Sequence, residues 1–130
     1  MEYIIDKLTD LEIIKVTVLG TLNQDIRKEI YSKAVSELNT NGYHSLLMDT
    51  IGSKISENYT TRTSNTYDMV DSIKKIETKN NTKIAVLSRD KEDGHKHFVK
   101  LAQAIGHLNT KHFSNYDEAI TWLLGKDIFT

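Results

Sequence analysis

A short apolar run that ends in polar residues sets the strongest limit on how this chain can fold. It spans Ser45 to Met48, within the segment YHSLLMDTIG at Tyr43 to Gly52. Four or five apolar residues between turn-forming residues are typical of a central strand covered by helices. We therefore expect a buried strand at Ser45–Met48 and a loop at Asp49–Gly52. The carboxyl ends of such strands are where α/β folds usually place their sites.

Two strand-like runs near the start of the chain are spaced as a hairpin. Tyr3–Ile5 and Leu11–Leu19 are rich in β-branched and apolar residues, and the segment between them permits an antiparallel turn. Side chains alternate between the two faces of a strand, so the second run has one largely apolar face. Its other face carries Lys15 and Thr17. This pattern predicts a sheet that is covered on one side and only partly covered on the other.

Two further strands and four helices complete the predicted order. KIAVL at Lys83–Leu87 predicts a buried strand, and Lys111–Phe113 predicts a short edge strand. Amphipathic stretches predict helices at about Asn23–Leu38, Asn58–Thr78 and His95–Ile105, and one after Ser114 with Ala119, Ile120, Leu123 and Leu124 on its buried face. Strands alternating with helices are typical of parallel sheets with right-handed crossovers. We predict an α/β fold with a mainly parallel four- to five-stranded sheet, an N-terminal antiparallel hairpin and four helices.

Turn and capping residues set the predicted boundaries of these elements. Gly20 and Thr21 are expected to turn the chain before the first helix. Gly42 is suited to a left-handed position at the end of that helix. Ser114, with Asp117 three residues later, resembles a capping box for the last helix.

The overall composition restricts the class of protein. A chain of 130 residues is long enough for one sizeable core, so we expect a single domain over residues 1–130. A net charge of -1 argues against nucleic-acid binding, which depends on an excess of basic residues. The chain lacks cysteine, a basic leader and any long apolar run, so we expect a cytoplasmic protein without membrane insertion.

Three segments resemble the SpoIIAA-like fold family, which includes STAS domains and the more distant CRAL-TRIO lipid-binding domains. They are LLMDT at Leu46–Thr50, KIAVLS at Lys83–Ser88 and HFSNYDEAITWLL at His112–Leu124. The last segment is similar to the aromatic, capped turn and final helix of small bacterial proteins of this group. The resemblance implies a regulatory or binding module rather than an enzyme.

The best-understood members of that family are anti-sigma factor antagonists that are switched by phosphorylation. Their switch resembles Asp-Ser-x-Gly at the start of the helix after the central strand. This chain instead has Asp49-Thr50-Ile51-Gly52 directly at the predicted strand end, and Ser53 and Ser56 follow without such a motif. The comparison therefore favours plain binding over a phosphorylation switch.

The candidate binding or switch loop combines residues from two strand ends. Its members are Asp49, Thr50, Gly52, Ser53, Ser56, Ser88 and Arg89. The amino end of the following helix can favour an anion near Asp49 and Thr50, and Arg89 can bind a carboxylate or phosphate. The simpler interpretations are that Asp49 accepts amide hydrogen bonds within a turn and that Arg89 is a solvated surface residue.

Catalytic and metal-binding patterns are missing from the sequence. It contains no nucleophile elbow, phosphate-binding loop, dinucleotide fingerprint or zinc-protease helix. His95, His97, His107 and His112 are more simply exposed histidines than ligands, because zinc needs three or four converging ligands. We therefore predict no enzymatic activity, no cofactor and no metal.

Two functions remain open from the sequence. The first is a non-enzymatic regulatory or adaptor domain that acts by protein contact, either with a different protein or with a second copy as a homodimer. Self-association would use the partly uncovered face near Lys15 and Thr17 or an edge strand. The alternative is a binding protein for a small amphipathic or lipid-like ligand, as in CRAL-TRIO domains, with the helix at about Asn58–Thr78 moving to admit it.

Overall fold

The computed structural model describes residues 2–22, 24–55, 82–88 and 110–125. Within these ranges lie five strands and two helices: β1 Glu2–Leu8, β2 Ile13–Leu22, α1 Gln24–Asn41, β3 Ser45–Ile55, β4 Lys83–Leu87, β5 Thr110–Phe113 and α2 Tyr116–Leu123. The helices predicted at about Asn58–Thr78 and His95–Ile105 fall outside the described residues. Neither of the two described helices has the length and apolar character needed to cross a membrane.

The five strands form one mixed sheet in the order β1-β2-β3-β4-β5. β1 and β2 are antiparallel, whereas β2, β3, β4 and β5 pair in parallel. This arrangement confirms the predicted mainly parallel sheet with an N-terminal antiparallel hairpin. It also places the buried run at Ser45–Met48 in the central strand, as expected for residues that helices cover on both faces.

The first core lies between α1 and one face of the sheet. Its buried members include Ile14, Val16, Val18, Ile30, Ala34, Leu38, Leu46, Met48, Ile84 and Val86. The three α1 residues recur every four positions, which keeps them on one side of the helix. The apolar face predicted for the second strand is therefore confirmed as the face that α1 covers.

The second core lies on the opposite face, beneath α2. It is formed by Ile13, Leu47, Ala85, Leu87, Phe113, Ala119 and Leu123, with Ile120, Trp122 and Leu124 packed against it. The predicted buried face of the last helix is confirmed. Lys15 and Thr17 lie on this side of β2 and are only half-buried, which agrees with a partly covered face.

Polar contacts tie α1 to the hairpin on the first face. Lys7 Nζ of β1 donates to Asn41 Oδ1 at 3.2 Å. Lys33 Nζ lies 5.4 Å from the centre of the Tyr3 ring. The hydrogen bond with Tyr3, and then the charges of Tyr3 and Glu29, raise the pKa of the Lys33 ammonium. These contacts hold the edge strand β1 against the helix.

The ends of the first helix and the hairpin differ slightly from the prediction. α1 continues three residues beyond Leu38, and Gly42 then adopts the expected left-handed conformation at φ 68°. The Tyr43 amide donates to the Leu38 carbonyl at 3.0 Å, which closes the helix end. In the hairpin, β1 extends to Leu8, and a turn ending at Glu12, φ 56°, delays the start of β2 to Ile13.

Two predicted boundaries are wrong. Gly20 and Thr21 do not end the second strand, because β2 continues to Leu22 and pairs with β3 through both residues. The cap of α2 is Asn115 and not Ser114. The Asn115 side chain accepts the Glu118 amide at 3.0 Å, which satisfies an amide of the first turn that has no partner within the helix.

Lys83 joins the start of β4 to the end of α2. Its ammonium donates to the Trp122 carbonyl at 2.7 Å and lies 4.8 Å from the centre of the Trp122 ring. The last carbonyls of a helix have no partner within the helix and carry partial negative charge, so a half-buried lysine is well placed to bind them. Lys83 thus holds α2 against the sheet at the amino end of β4, at the opposite end of the sheet from the candidate site.

We expect Lys83→Met to lower the free energy of unfolding by about 1.5 kcal/mol. Methionine keeps most of the apolar contact with Trp122 but loses the charged hydrogen bond and the cation–π contact. Urea unfolding followed by circular dichroism measures the change.

The matched control is Lys111→Met. Lys111 is exposed, and its ammonium lies 5.5 Å from the Phe113 ring without a described hydrogen bond, so we expect a loss below about 0.5 kcal/mol. Equal losses in the two variants would contradict the role assigned to Lys83.

Candidate functional site

The carboxyl ends of β3, β4 and β5 meet at one edge of the sheet. Asp49 pairs with Leu87, and Leu87 pairs with Phe113. Ser88 follows β4 directly, and its amide donates to the Phe113 carbonyl at 2.9 Å. The parallel pairing therefore brings the two predicted strand ends, at Asp49 and Ser88, to the same edge.

The segment predicted as a loop at Asp49–Gly52 is part of β3. Thr17 of β2 pairs with Asp49, but Leu19 pairs with Gly52, so β3 carries one extra residue over this stretch. This is a β-bulge, after which the two strands pair again as far as Leu22 and Ile55. The loop prediction is wrong because β2 is long enough to provide a partner beyond the polar residues.

Asp49 stabilises the bulge. Its Oδ1 accepts a hydrogen bond from the Ile51 amide at 3.2 Å. A side chain that binds the amide two residues later makes an Asx turn, and here it satisfies an amide where the strand pairing is interrupted. The simpler interpretation of Asp49, as an acceptor of local amide hydrogen bonds, is confirmed.

The hydroxyl groups at this edge are buried and hydrogen-bonded. Thr50 is 2% exposed, and its hydroxyl donates to the Leu87 carbonyl at 2.9 Å. Ser53 is 1% exposed and donates to the Thr50 carbonyl at 3.2 Å. The Thr50 bond connects β3 to the last paired residue of β4, and the Ser53 bond lies within β3. In this conformation neither hydroxyl is accessible to a kinase or to a ligand in solvent.

Ser88 contacts a residue that the sequence did not connect with it. Ser88 is fully buried, and its Oγ lies 2.6 Å from His112 Nε2 on β5. His112 is half-buried and is not the freely exposed histidine expected from the sequence. The only signal in the sequence was its place in the predicted edge strand, which does not show that this strand pairs beside Ser88.

The remaining predicted site residues divide into two groups. Gly52 is exposed and pairs with Leu19. Ser56 and Arg89 fall outside the described residues. The described residues also hold no group of three or more histidine, aspartate or glutamate side chains that could bind a metal ion.

Two large aliphatic side chains are exposed beside the bulge. Leu19 is 41% exposed and Ile51 is 42% exposed, although both are large aliphatic residues. The Leu19 side chain lies over Gly52, because a Cβ atom at position 52 would be 2.7 Å from Leu19 Cδ2. Leu19 and Gly52 pair across the two strands, and Ile51 precedes Gly52 in the bulge, so we call these three neighbours in the strand pairing the apolar patch. It was not predicted, because in the sequence Ile51 stands between polar turn-forming residues.

The structure is similar to two solved structures over almost its whole length. One is the anti-sigma factor antagonist SpoIIAA in its unphosphorylated form, with a TM-score of 0.61 and 10% sequence identity over 95% of this chain and 99% of that one. The other is an uncharacterized protein of the DUF3478 family with a SpoIIAA-like fold, from Shewanella loihica PV-4. It has a TM-score of 0.59 and 15% identity over 94% of this chain and 92% of that one.

These similarities show that the chain has a SpoIIAA-like fold, as the sequence resemblance predicted. No protein-family model and no curated protein matches the sequence. Because sequence identity to the two structures is low, fold similarity alone does not transfer a function, which has to be argued from the site.

We expect Thr50→Val to lower the free energy of unfolding by about 1 to 2 kcal/mol. The substitution keeps the shape of the side chain but leaves the Leu87 carbonyl without the hydroxyl that binds it. Thr50→Glu should cost more, about 3 kcal/mol or above, because it places an unpaired charge in a buried site. Thermal and urea unfolding measure both changes.

Thr17→Val serves as the control, since Thr17 is half-buried on the neighbouring strand and has no described hydrogen bond from its side chain. We expect its effect to stay within about 0.5 kcal/mol. A Thr50→Glu protein as stable as the wild type would show that position 50 tolerates a phosphate-like charge, against the burial described above.

Proposed function

We propose that this protein is a non-enzymatic regulatory or adaptor domain that acts by contact with another protein through the apolar patch. The observation that carries the proposal is the difference in exposure between polar and aliphatic side chains at the bulge between β2 and β3. Thr50 and Ser53, two of the polar residues expected to act there, are buried and donate to main-chain carbonyls, whereas Leu19 and Ile51 are exposed. Exposed aliphatic residues around a glycine are suited to protein contact and offer no group for chemistry.

The fold supports the same proposal. One protein with a similar structure is an anti-sigma factor antagonist, which by its name acts on another protein. The bulge that holds the apolar patch is fixed by Asp49 and by the pairing of β2 with β3 on both sides. A preorganised surface of this kind lowers the ordering cost of binding.

The proposed contact does not depend on phosphorylation of the bulge. Phosphate adds close to two negative charges, and at Thr50 or Ser53 these would enter a buried site in which the hydroxyl already donates to a carbonyl. Ser56 and Arg89 stay as predicted contributors, because they fall outside the described residues. Action in the cytoplasm also stays a prediction.

The amphipathic-ligand alternative has no support in the described residues. It requires the helix predicted at about Asn58–Thr78 to move from the sheet, and that stretch is not described. Protein contact is therefore the function on which we base the experiment.

Site-specific photocrosslinking in cells that naturally produce the protein tests the proposal. A photoreactive phenylalanine analogue at position 51 should give a defined adduct with one protein partner. The control places the analogue at position 11, where Leu11 is comparably exposed but lies in the β1–β2 turn, far along the hairpin from the bulge.

The captured protein is then purified, and its affinity is measured with wild-type and substituted proteins. We expect Leu19→Ser to weaken binding by roughly tenfold or more, as for a residue at the centre of an interface, and Leu11→Ser to change it less than about twofold. The proposal fails if position 51 gives no specific adduct, or if Leu19→Ser and Leu11→Ser have the same effect on the reconstituted complex.

A further inference from the structure

β1 forms one edge of the described sheet, where it pairs with β2 on one side only. Ile4 and Asp6 of β1 share the face that α1 does not cover, because Tyr3 and Ile5 pack towards α1. Ile4 is 53% exposed, and Asp6 is exposed as well. An edge strand with exposed residues is a template on which a second copy of the same strand can add.

Symmetry restricts how two copies of β1 can pair. A two-fold axis perpendicular to the sheet makes the strands antiparallel and keeps each side chain on its own face. Only residues an even number of positions apart can then be opposite one another. Three registers join five or more of the seven residues of β1, and they centre the axis on Ile4, Ile5 or Asp6.

Each of these registers brings acidic residues together. With the axis at Asp6, the two Asp6 residues are directly opposite. With the axis at Ile4, Asp6 is opposite Glu2, and symmetry makes this pair occur twice. With the axis at Ile5, Asp6 is opposite Ile4 and diagonal to Asp6 of the second copy. Directly opposed like charges destabilise strand pairing, and diagonal neighbours are still within reach of each other.

The Asp6 carboxylate makes no ion pair with a described residue. Its register partner on β2 is Lys15, whose ammonium lies 5.3 Å from the centre of the Tyr116 ring. Among the residues that the structure describes, none forms an ion pair or a hydrogen bond with the Asp6 side chain. A strand that approaches this edge therefore meets an exposed carboxylate.

We propose that Asp6 prevents β1 from pairing with a second copy of the chain. The inference is independent of the proposed function, because the apolar patch lies at the bulge between β2 and β3. It restricts the surfaces available to the homodimer expected from the sequence, since self-association through β1 is opposed, which leaves the partly covered sheet face and β5 at the other edge of the described sheet.

Sedimentation equilibrium of three purified full-length proteins tests the proposal. They are the wild type, Asp6→Asn, and Asp10→Asn, which removes the same charge from the exposed β1–β2 turn. Asp6→Asn should self-associate roughly three- to tenfold more tightly than the other two, because it removes the one or two like-charge contacts that its register contains. Salt at about 1 M, which screens exposed charges, should move the wild type towards Asp6→Asn.

Amide hydrogen exchange identifies the surface that is used. Exchange in β1 should slow with protein concentration in Asp6→Asn and not in Asp10→Asn. The proposal is overturned if all three proteins associate equally or not at all, if Asp10→Asn matches Asp6→Asn, or if Asp6→Asn associates without protection of β1.

Discussion

The parallel pairing of β2 with β3 is the interaction on which the rest of the structure depends. It runs from Ile13 and Ser45 to Leu22 and Ile55, interrupted by a single bulge. Successive residues of these strands face opposite sides of the sheet. The same two strands therefore contribute buried side chains to both cores, one under α1 and one under α2. Because β3 also pairs with β4, the ladder brings Asp49, Thr50 and Ser88 to the same end of the sheet.

The bulge decides which groups at the site are available to solvent. At the bulge, side chains add local hydrogen bonds: Asp49 accepts from the Ile51 amide, Thr50 donates to the Leu87 carbonyl of β4, and Ser53 donates to the Thr50 carbonyl. Leaving a buried hydroxyl without a hydrogen-bond partner lowers the stability of the fold by more than a single hydrogen bond adds to it. The hydroxyls of Thr50 and Ser53 therefore have a structural role in the sheet. The exposed side chains of Leu19 and Ile51 beside them are aliphatic, so we assign binding to the apolar patch.

Much of the fold could be predicted from sequence, because strand alternation and helical periodicity are local signals. Burial was predicted correctly from three such patterns: the apolar run KIAVL, the alternation from Ile13 to Val18, and the four-residue repeat of α1. The ends of the strands could not be predicted as well from the sequence. Asp49-Thr50-Ile51-Gly52 has the composition of a turn, and its place in β3 depends on the reach of β2, which is a property of the partner strand.

The sequence predicted which strand ends come together but not the surroundings of the side chains there. Asp49 and Ser88 do lie at one edge, as parallel strands require. Burial of Thr50 and Ser53 and exposure of Ile51 depend on which face each residue takes at the bulge, and the contact between Ser88 and His112 depends on the pairing of β4 with β5. An inserted residue reverses the alternation, so a pattern read along one strand assigns those faces incorrectly.

Native-state hydrogen exchange of the β3 amides is the most direct test of this account. If residues 52–55 belong to a bulged strand paired with β2, their hydrogen-bonded amides should exchange at least about a thousandfold more slowly than in an unstructured chain. If residues 49–55 are a solvated loop, these amides will exchange close to the unprotected rate. That result would contradict the buried hydroxyl groups, the apolar patch and the contact surface inferred from them.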